Sequence, residues 1–262
     1  MKYLKWLLLT LVVILFGCGI DAYFIEPHQL INNQITLQDR NSTGKTLKIV
    51  QFSDVHINEK TRQDDLSQIV KKINAQKPDI IIFTGDLYDN YYKYHDDTRV
   101  IKFLQQLKAK KAKIAVYGNH DSGGGSRYPY INIMAEGGFE LLVNDYYSFY
   151  LGGKKITLYG LDDALLGTPT WKDVDGDYKI LITHEPDIGY ETNDNLILSG
   201  HTHGGQVKLP FISGKTNLMG DYVRGLYKKG NQYHYIDSGV GMTRLPLRFG
   251  VTPQITTINL KL

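Results

Sequence analysis

The distribution of apolar positions divides the chain into three regimes. Residues Trp6 to Ile20, WLLLTLVVILFGCGI, form an apolar run preceded by Lys2 and Lys5. The run has no polar periodicity, which excludes a half-buried amphipathic helix. Its 15 residues fall short of the roughly 20 that span a bilayer, although the following DAYFI extends it. Residues 26–46 are mostly polar and read as a connector, with an edge strand at Gln34–Gln38 ended by the turn-like DRNSTG.

From Leu47 the pattern alternates between two periods. LKIVQF reads as a strand, and DDLSQIVKKINAQ as a helix with Leu66, Ile69, Val70 and Ile73 on one face. DIIIFTGD has the near-continuous apolar character of a strand covered on both faces. A helix over TRVIKFLQQLKAK, a strand in KIAVYGNH and a helix around YPYINIMAEGG follow, the last stopping at Gly137 and Gly138. ITLYGLD, YKILITHEP and NLILSG supply three more strands. Strands separated by helices of this length predict βαβ units around a largely parallel sheet. QYHYIDSG and QITTINLKL alternate apolar and polar residues without intervening helices and predict antiparallel strands of a second sheet. No Pro/Gly-rich linker or internal repeat divides residues 47–262, so this segment reads as one two-sheet domain behind a hydrophobic segment (1–25) and the connector (26–46).

Composition narrows the chemistry. Hydrophobic residues make up 42% of the 262, enough for one large α/β core. Lys plus Arg number 30 against 27 Asp plus Glu, a scattered +3 that gives no basis for expecting a nucleic-acid partner. The single cysteine, Cys18, rules out an intrachain disulfide framework and a cysteine-based zinc cluster. The N-terminal basic residues and apolar run have the form of an export or anchoring signal. LFGC also resembles a lipoprotein cleavage box with Cys18 as the modified residue. An uncleaved anchor, a lipoprotein and a cleaved, secreted form are all compatible. With Lys2 and Lys5 retained inside, the domain would sit on the extracytoplasmic side of the cell membrane.

The candidate chemistry lies at strand ends. LKIVQF runs into SDVH, DIIIF into TGD, KIAVY into GNHD, KILI into THEP, and LIL into SGHTHGG. Carboxyl ends of strands are where sites form in open α/β sheets. Asp54, His56, Asp86, Asn119, His184, His201 and His203 offer seven nitrogen or oxygen donors and no sulfur. That set is too large for one tetrahedral zinc and suits two divalent ions of the Mn, Fe, Zn or Co class sharing a carboxylate. Gly204 and Gly205 would let the backbone turn close to such a site.

In this order SDVH, GD, GNHD, THEP and SGHTHGGQ resemble the signature set of the calcineurin-like metallophosphoesterases, over roughly Leu47 to Leu262. The tail SGVGMTRLPLRFGVTPQITTINL is similar to a bacterial membrane-anchored or exported phosphodiesterase-like branch. The resemblance implies a four-layer α-β-β-α sandwich with the site at the carboxyl ends of the strands. It implies one metal on Asp54, His56 and His203, a second on Asn119, His184 and His201, and Asp86 bridging them. It further implies a metal-bridging hydroxide as nucleophile, His120 acting on the phosphoryl group or leaving oxygen, and Asp121 orienting His120.

Other residues stay open. Taken singly, Asp54 would be a turn cap and His56 or His184 ordinary loop residues; the set gives them meaning. His28, His95 and His234 belong to no motif and read as surface or packing residues. Arg244 and Arg248 either reach a substrate phosphate or an acidic headgroup, or they form ion pairs or a solvated edge. YDNYYKYHDD lines a substrate groove or simply packs its tyrosines, and Gly123–Gly125 lacks the lysine and Ser/Thr of a phosphate loop. The leading expectation is a metal-dependent phosphodiesterase acting on a small phosphorylated or lipid-linked substrate at a membrane. The alternatives are a phosphomonoesterase, a pyrophosphohydrolase of nucleoside-diphosphate-linked envelope precursors, and a non-catalytic metal-stabilised envelope binding module.

Overall fold

In the computed structural model, residues 2–188, 192–208, 222–243 and 246–262 are described. Two six-stranded sheets pack face to face. The first is built from β1 (Ile31–Gln38), β2 (Thr46–Phe52), β3 (Ile80–Phe83), β4 (Ala112–Ala115), β5 (Glu140–Leu141) and β12 (Gln254–Lys261), in the order β1-β12-β2-β3-β4-β5. The second holds β6 (Asp145–Leu151), β7 (Lys154–Gly160), β8 (Tyr178–Ile182), β9 (Leu196–Ser199), β10 (Gly225–Lys229) and β11 (Gln232–Ile236), in the order β10-β11-β9-β8-β7-β6. The helices are α1 (Lys2–Ile20), α2 (Gln63–Ala75), α3 (Asp97–Gln106), α4 (Asn119–Gly123) and α5 (Arg127–Glu136).

Period-two patterning sorts the core into layers. Leu47 and Ile49 of β2 and Ile80 and Ile82 of β3 point between the sheets, where they meet Leu158, Ile180, Ile182, Leu196 and Leu198. Val50, Phe52, Ile81 and Phe83 point the other way, onto Leu66, Ile69 and Ile73 of α2 and Val100, Phe103 and Leu104 of α3. This explains why β2 and β3 read as nearly unbroken apolar runs: both faces are covered. The expected two-sheet sandwich flanked by helices is the observed fold. Its layers are uneven, however. Among the described residues, the outer face of the second sheet (Tyr159, Leu161, Leu181, Ile197) is covered by Trp171, Val174 and Ile188 rather than by a helix. The covering segment, DALLGTPTWKDVDGD, carries too many Gly, Pro and Asp residues to propagate one.

Three local expectations change. The terminal strand β12 does not join the second sheet. It inserts into the first, antiparallel to β2 and parallel to β1, because its apolar face (Ile258, Leu260) completes the inter-sheet core beside Leu47 and Ile49. The edge strand of the connector begins at Ile31, so much of 26–46 belongs to the sandwich. Finally, α3 stops at Gln106, short of the periodic pattern. Leu107 turns extended and buried, and Lys110 and Lys111 donate backbone hydrogen bonds to the Pro78 and Asp79 carbonyls, feeding the chain into β4.

α1 contains no buried residue. With the looser turns that continue it to His28, it is long and apolar enough to cross a membrane.

Candidate metal centre

The parallel strands β2, β3, β4, β8 and β9 all end at one edge of the sandwich, and cross-sheet hydrogen bonds close the seam there. Gln51 Nε2, buried between the sheets, donates to the Ser199 carbonyl at 2.9 Å. The His201 backbone N–H reaches the Asp54 carboxylate at 3.2 Å. All seven sequence-predicted donors meet at this seam. His56 Nε2 and His203 Nε2 lie 3.0 Å apart, with Asp54 Oδ1 at 3.9 and 3.5 Å from them. His184 Nε2 is 3.2 Å from both Asn119 Oδ1 and His201 Nδ1. Between the groups, Asp86 Oδ2 stands 3.3 Å from His56 Nε2 and 3.3 Å from His184 Nε2.

Backbone conformation is part of this convergence. Asp54, His56, Asp86, His201 and His203 all adopt positive φ, between 48° and 69°. Non-glycine residues rarely do so, and five together at one site mark a place where geometry is held against local preference. Neighbouring loops supply the restraint. Val55 N donates to Asp86 O, Asp54 N to Gly85 O, and Gly241 N to Asp54 O. Gly118 is required by space, since a Cβ there would sit 2.2 Å from Asp86 Oδ1. Gly204, at φ 62°, packs against Ser238, whose Oγ a Cβ would meet at 2.7 Å.

Donor chemistry and tautomers fit two divalent cations. His184 Nδ1 bonds the Thr84 carbonyl at 2.7 Å, which fixes the proton there and leaves Nε2 for the site. Burial, aided by the charge of His184, pushes His201 down to about 4, so its ring is neutral near pH 7. Burial, with His56 and Arg248, likewise holds His203 well below its ordinary value. For His184, burial opposes the charged ring but the Asp86 carboxylate outweighs it and draws a proton in. A field that favours a proton beside Asp86 also favours a cation, and imidazole, carboxylate and amide donors without sulfur suit Mn, Fe, Zn or Co. Two adjacent clusters, Asp54/His56/His203 and Asp54/Asp86/His184, place their donor atoms within 4.8 Å of one another. A third, His184/Glu185/His201, adjoins the second.

The expected second-row roles are redistributed. Asp121 does not orient the His120 ring. Its buried carboxylate accepts backbone N–H groups of Asp86 (2.8 Å), Leu87 (3.0 Å) and Gly118 (3.0 Å), pinning the loop that presents Asp86. Burial, then the nearby Asp86 charge, pushes Asp121 up to about 7. His120 is held instead by Asp89, whose carbonyl accepts from Nδ1 at 2.5 Å. The Asp89 carboxylate also faces His56 Nδ1 at 3.5 Å. Asp89 thus touches two site histidines, a role the sequence hid inside a tyrosine-rich loop.

Arg248 is also corrected. Rather than facing substrate it is fully buried, its guanidinium bonded to the carbonyls of Ser238, Gly239, Gly241 and Val251, with Nη2 3.5 Å from His203 Nδ1. It fastens the 238–241 loop, which follows β11 and was not expected at the site. Arg244 lies outside the described residues. His234 packs as expected, with Ser199 Oγ 2.8 Å from its Nε2.

A two-sheet sandwich with a seam of Asp, Asn and His donors at the strand ends defines a dinuclear-metal phosphoesterase. The calcineurin-like phosphoesterase family model matches residues 47–205, and the chain belongs to that family. It is 40% identical over 260 residues to the uncharacterized metallophosphoesterase YkuE of Bacillus subtilis, covering 92% of this chain and 88% of the relative. It is 32% identical to the uncharacterized metallophosphoesterase Cj0846 of Campylobacter jejuni (83% and 60%) and 27% to YkoQ of Bacillus subtilis (95% and 97%).

Proposed function

We propose that this metal-dependent phosphoesterase hydrolyses phosphodiesters at a membrane surface, with His120 as the proton donor to the leaving oxygen. Asp54, His56 and His203 would hold one ion, Asn119, His184 and His201 the other, and Asp86 both. When bound, two such ions supply a nucleophilic hydroxide near neutral pH and neutralise charge on the phosphoryl oxygens.

The observation that carries the reading is the bridging position of Asp86 beside a held but solvent-accessible His120. His120 lines a groove, and its Nδ1 is taken by the Asp89 carbonyl. Nε2 is therefore the ring nitrogen left to meet a substrate, and imidazole is suited to proton transfer near neutral pH. Asp121 acts through Asp86, keeping that carboxylate at the seam. The unburied α1 supports attachment to a membrane, with the body on the extracytoplasmic side by the Lys2 and Lys5 charge rule.

Hydrolysis of bis(p-nitrophenyl) phosphate with added Mn²⁺, compared with a diester bearing an alkyl leaving group, tests the roles. His120→Ala is expected to slow the alkyl substrate by roughly 10²–10⁴-fold and the aryl one less, since nitrophenolate departs without a proton. An equal loss on both removes His120 as the acid. Absence of turnover on any diester, with turnover of a nucleoside-diphosphate sugar or a monoester, would move the assignment to those substrates.

A further inference from the structure

The catalytic seam opens into a groove of about 950 Å³, at the large end of the roughly 300–1,000 Å³ typical of small-molecule clefts. Its lining takes in His56, Asn119 and His120 from the seam and Tyr23, Pro27 and Leu30 from the segment that follows α1 in the chain. The partly exposed Leu30, Val240 and Met242 contribute apolar lining beside Tyr23, and Lys60, Arg62 and Lys93 stand among the carboxylates of Glu59, Asp65 and Asp89.

This extension is fixed to the catalytic body. The Glu26 carboxylate is buried and accepts from Gly250 N at 2.7 Å and Thr252 Oγ1 at 3.1 Å. The Ala22 carbonyl accepts from Arg248 N at 2.9 Å, and Ile31 N donates to Pro253 O at 2.9 Å. The foot of the hydrophobic helix is thereby tied to the residue that fastens the metal-site loop. Tyr23, Phe24 and Ile25 remain exposed there and continue the apolar surface of α1. A groove serving only a small soluble diester has no need of an extension that takes in the foot of α1, the one helix among the described residues long and apolar enough to cross a membrane.

We infer that the substrate is an amphiphilic phosphodiester drawn from the bilayer. Its phosphate sits at His120 and Asn119, and its alkyl portion leaves past Leu30 and Tyr23 onto α1. The inference rests on the phosphodiesterase and membrane readings above. The reaction consumes one water: a P–O bond forms to the water oxygen, the P–O bond to the leaving group breaks, and the released proton goes to the leaving oxygen or to solvent. A diester becomes a monoester plus an alcohol.

The test uses the full chain reconstituted in phosphatidylcholine vesicles with Mn²⁺ and two chromogenic probes, methyl and hexadecyl p-nitrophenyl phosphate. kcat/KM is expected to favour the hexadecyl probe by on the order of 30-fold or more, since each methylene removed from water contributes several-fold. Gln68, an exposed residue on the groove wall, separates groove binding from enrichment on the vesicle. Gln68→Trp is expected to lower the hexadecyl-to-methyl ratio about tenfold, and Gln68→Ala to preserve it. As a readout independent of turnover, a hexadecyl phosphonate with a diazirine in its tail should crosslink to residues 63–75 in wild type and lose that crosslink in Gln68→Trp. Equal kcat/KM for the two probes, or a ratio that Gln68→Trp leaves unmoved, overturns the inference while the phosphodiesterase reading stands. No turnover of either probe overturns the phosphodiesterase reading and the inference with it.

Discussion

The two sheets contribute differently to the same site. Loops after β2 and β3 bring carboxylates, Asp54 and Asp86, together with His56, and the loop after β4 adds Asn119. Loops after β8 and β9 bring imidazoles to the set, His184, His201 and His203, with the Glu185 carboxylate beside His184. Of the seven donors, the first sheet thus supplies the carboxylates and the second sheet supplies imidazoles. In the proposed pair of ions, each draws on loops of both sheets. The sandwich is closed at its functional edge by the site itself.

The sharpest way to break this arrangement is at Asp86, whose Oδ2 stands equally near a histidine of each sheet. Asp86→Ala is expected to lower kcat/KM by about 10⁴-fold or more and to reduce the bound metal below two per chain, read by steady-state kinetics and by elemental analysis. Two tightly held metals in this variant would show that the halves are joined some other way.

Next comes Arg248, which serves the second sheet's side through four backbone carbonyls and His203. Arg248→Met leaves the carbonyls of Ser238, Gly241 and Val251 without the guanidinium donor, while Gly239 keeps the Gln254 N–H, at a cost of about 3–5 kcal/mol. Chemical denaturation should show this loss together with weakened metal binding. A stability change under about 1 kcal/mol would mean that the loop holds itself.

Asp89 sharpens the comparison within the first sheet, because its carbonyl holds His120 while its carboxylate faces His56. Asp89→Ala removes the carboxylate from His56 and also from His120 Nδ1, 3.8 Å away, but leaves the carbonyl that holds the His120 ring. Metal affinity should fall roughly 10–100-fold, while the His120-dependent preference for alkyl over aryl leaving groups persists. Loss of that preference would assign the carboxylate to His120 as well.

The smallest effect concerns Asp237, in the loop after β11. Burial pushes its carboxyl up to about 7, although Thr256 Oγ1 and Gly239 N both donate to it. A folded state that binds the proton more tightly than the unfolded chain is favoured at low pH. Stability relative to Asp237→Asn should therefore be greatest below about pH 4 and decline as pH rises to about 7. Unfolding midpoints of both proteins across that window would check the sign. A difference that grows with pH would contradict it.

Much of this was legible in the chain. Where both faces of a strand are covered, the apolar run is long enough to locate it, as at Ile80–Phe83; where one face of a helix is covered, the 3.6-residue period does so, as in α2. Hydrophobic pattern is local, and it fixed the elements and the order of the loops that follow them. The ligand types were legible because donor chemistry belongs to the side chain itself. Neighbours were not. Nothing local distinguishes Asp121 from Asp89 as the partner of His120, since both lie within three residues of a site residue. The difference arises only when the loops after β3 and β4 pack, which brings the Asp89 carbonyl to the ring and turns Asp121 under Asp86.

Arg248 and β12 teach the same lesson at longer range. An arginine near a substrate loop and one buried among carbonyls have the same sequence signature, because the partners are supplied by residues placed there by β11. An alternating terminal strand fits either sheet until the vacancy between β1 and β2 selects one. By itself, the sequence located most strands and helices, the apolar N-terminal segment and the seven donor residues, since these follow from side-chain chemistry and periodicity, while the sandwich followed from the family resemblance. The tertiary structure alone decided which residues hold the histidines, and that the groove at His120 also takes in Tyr23 at the foot of α1. Each of those depends on distances between segments far apart in the chain, which only packing sets.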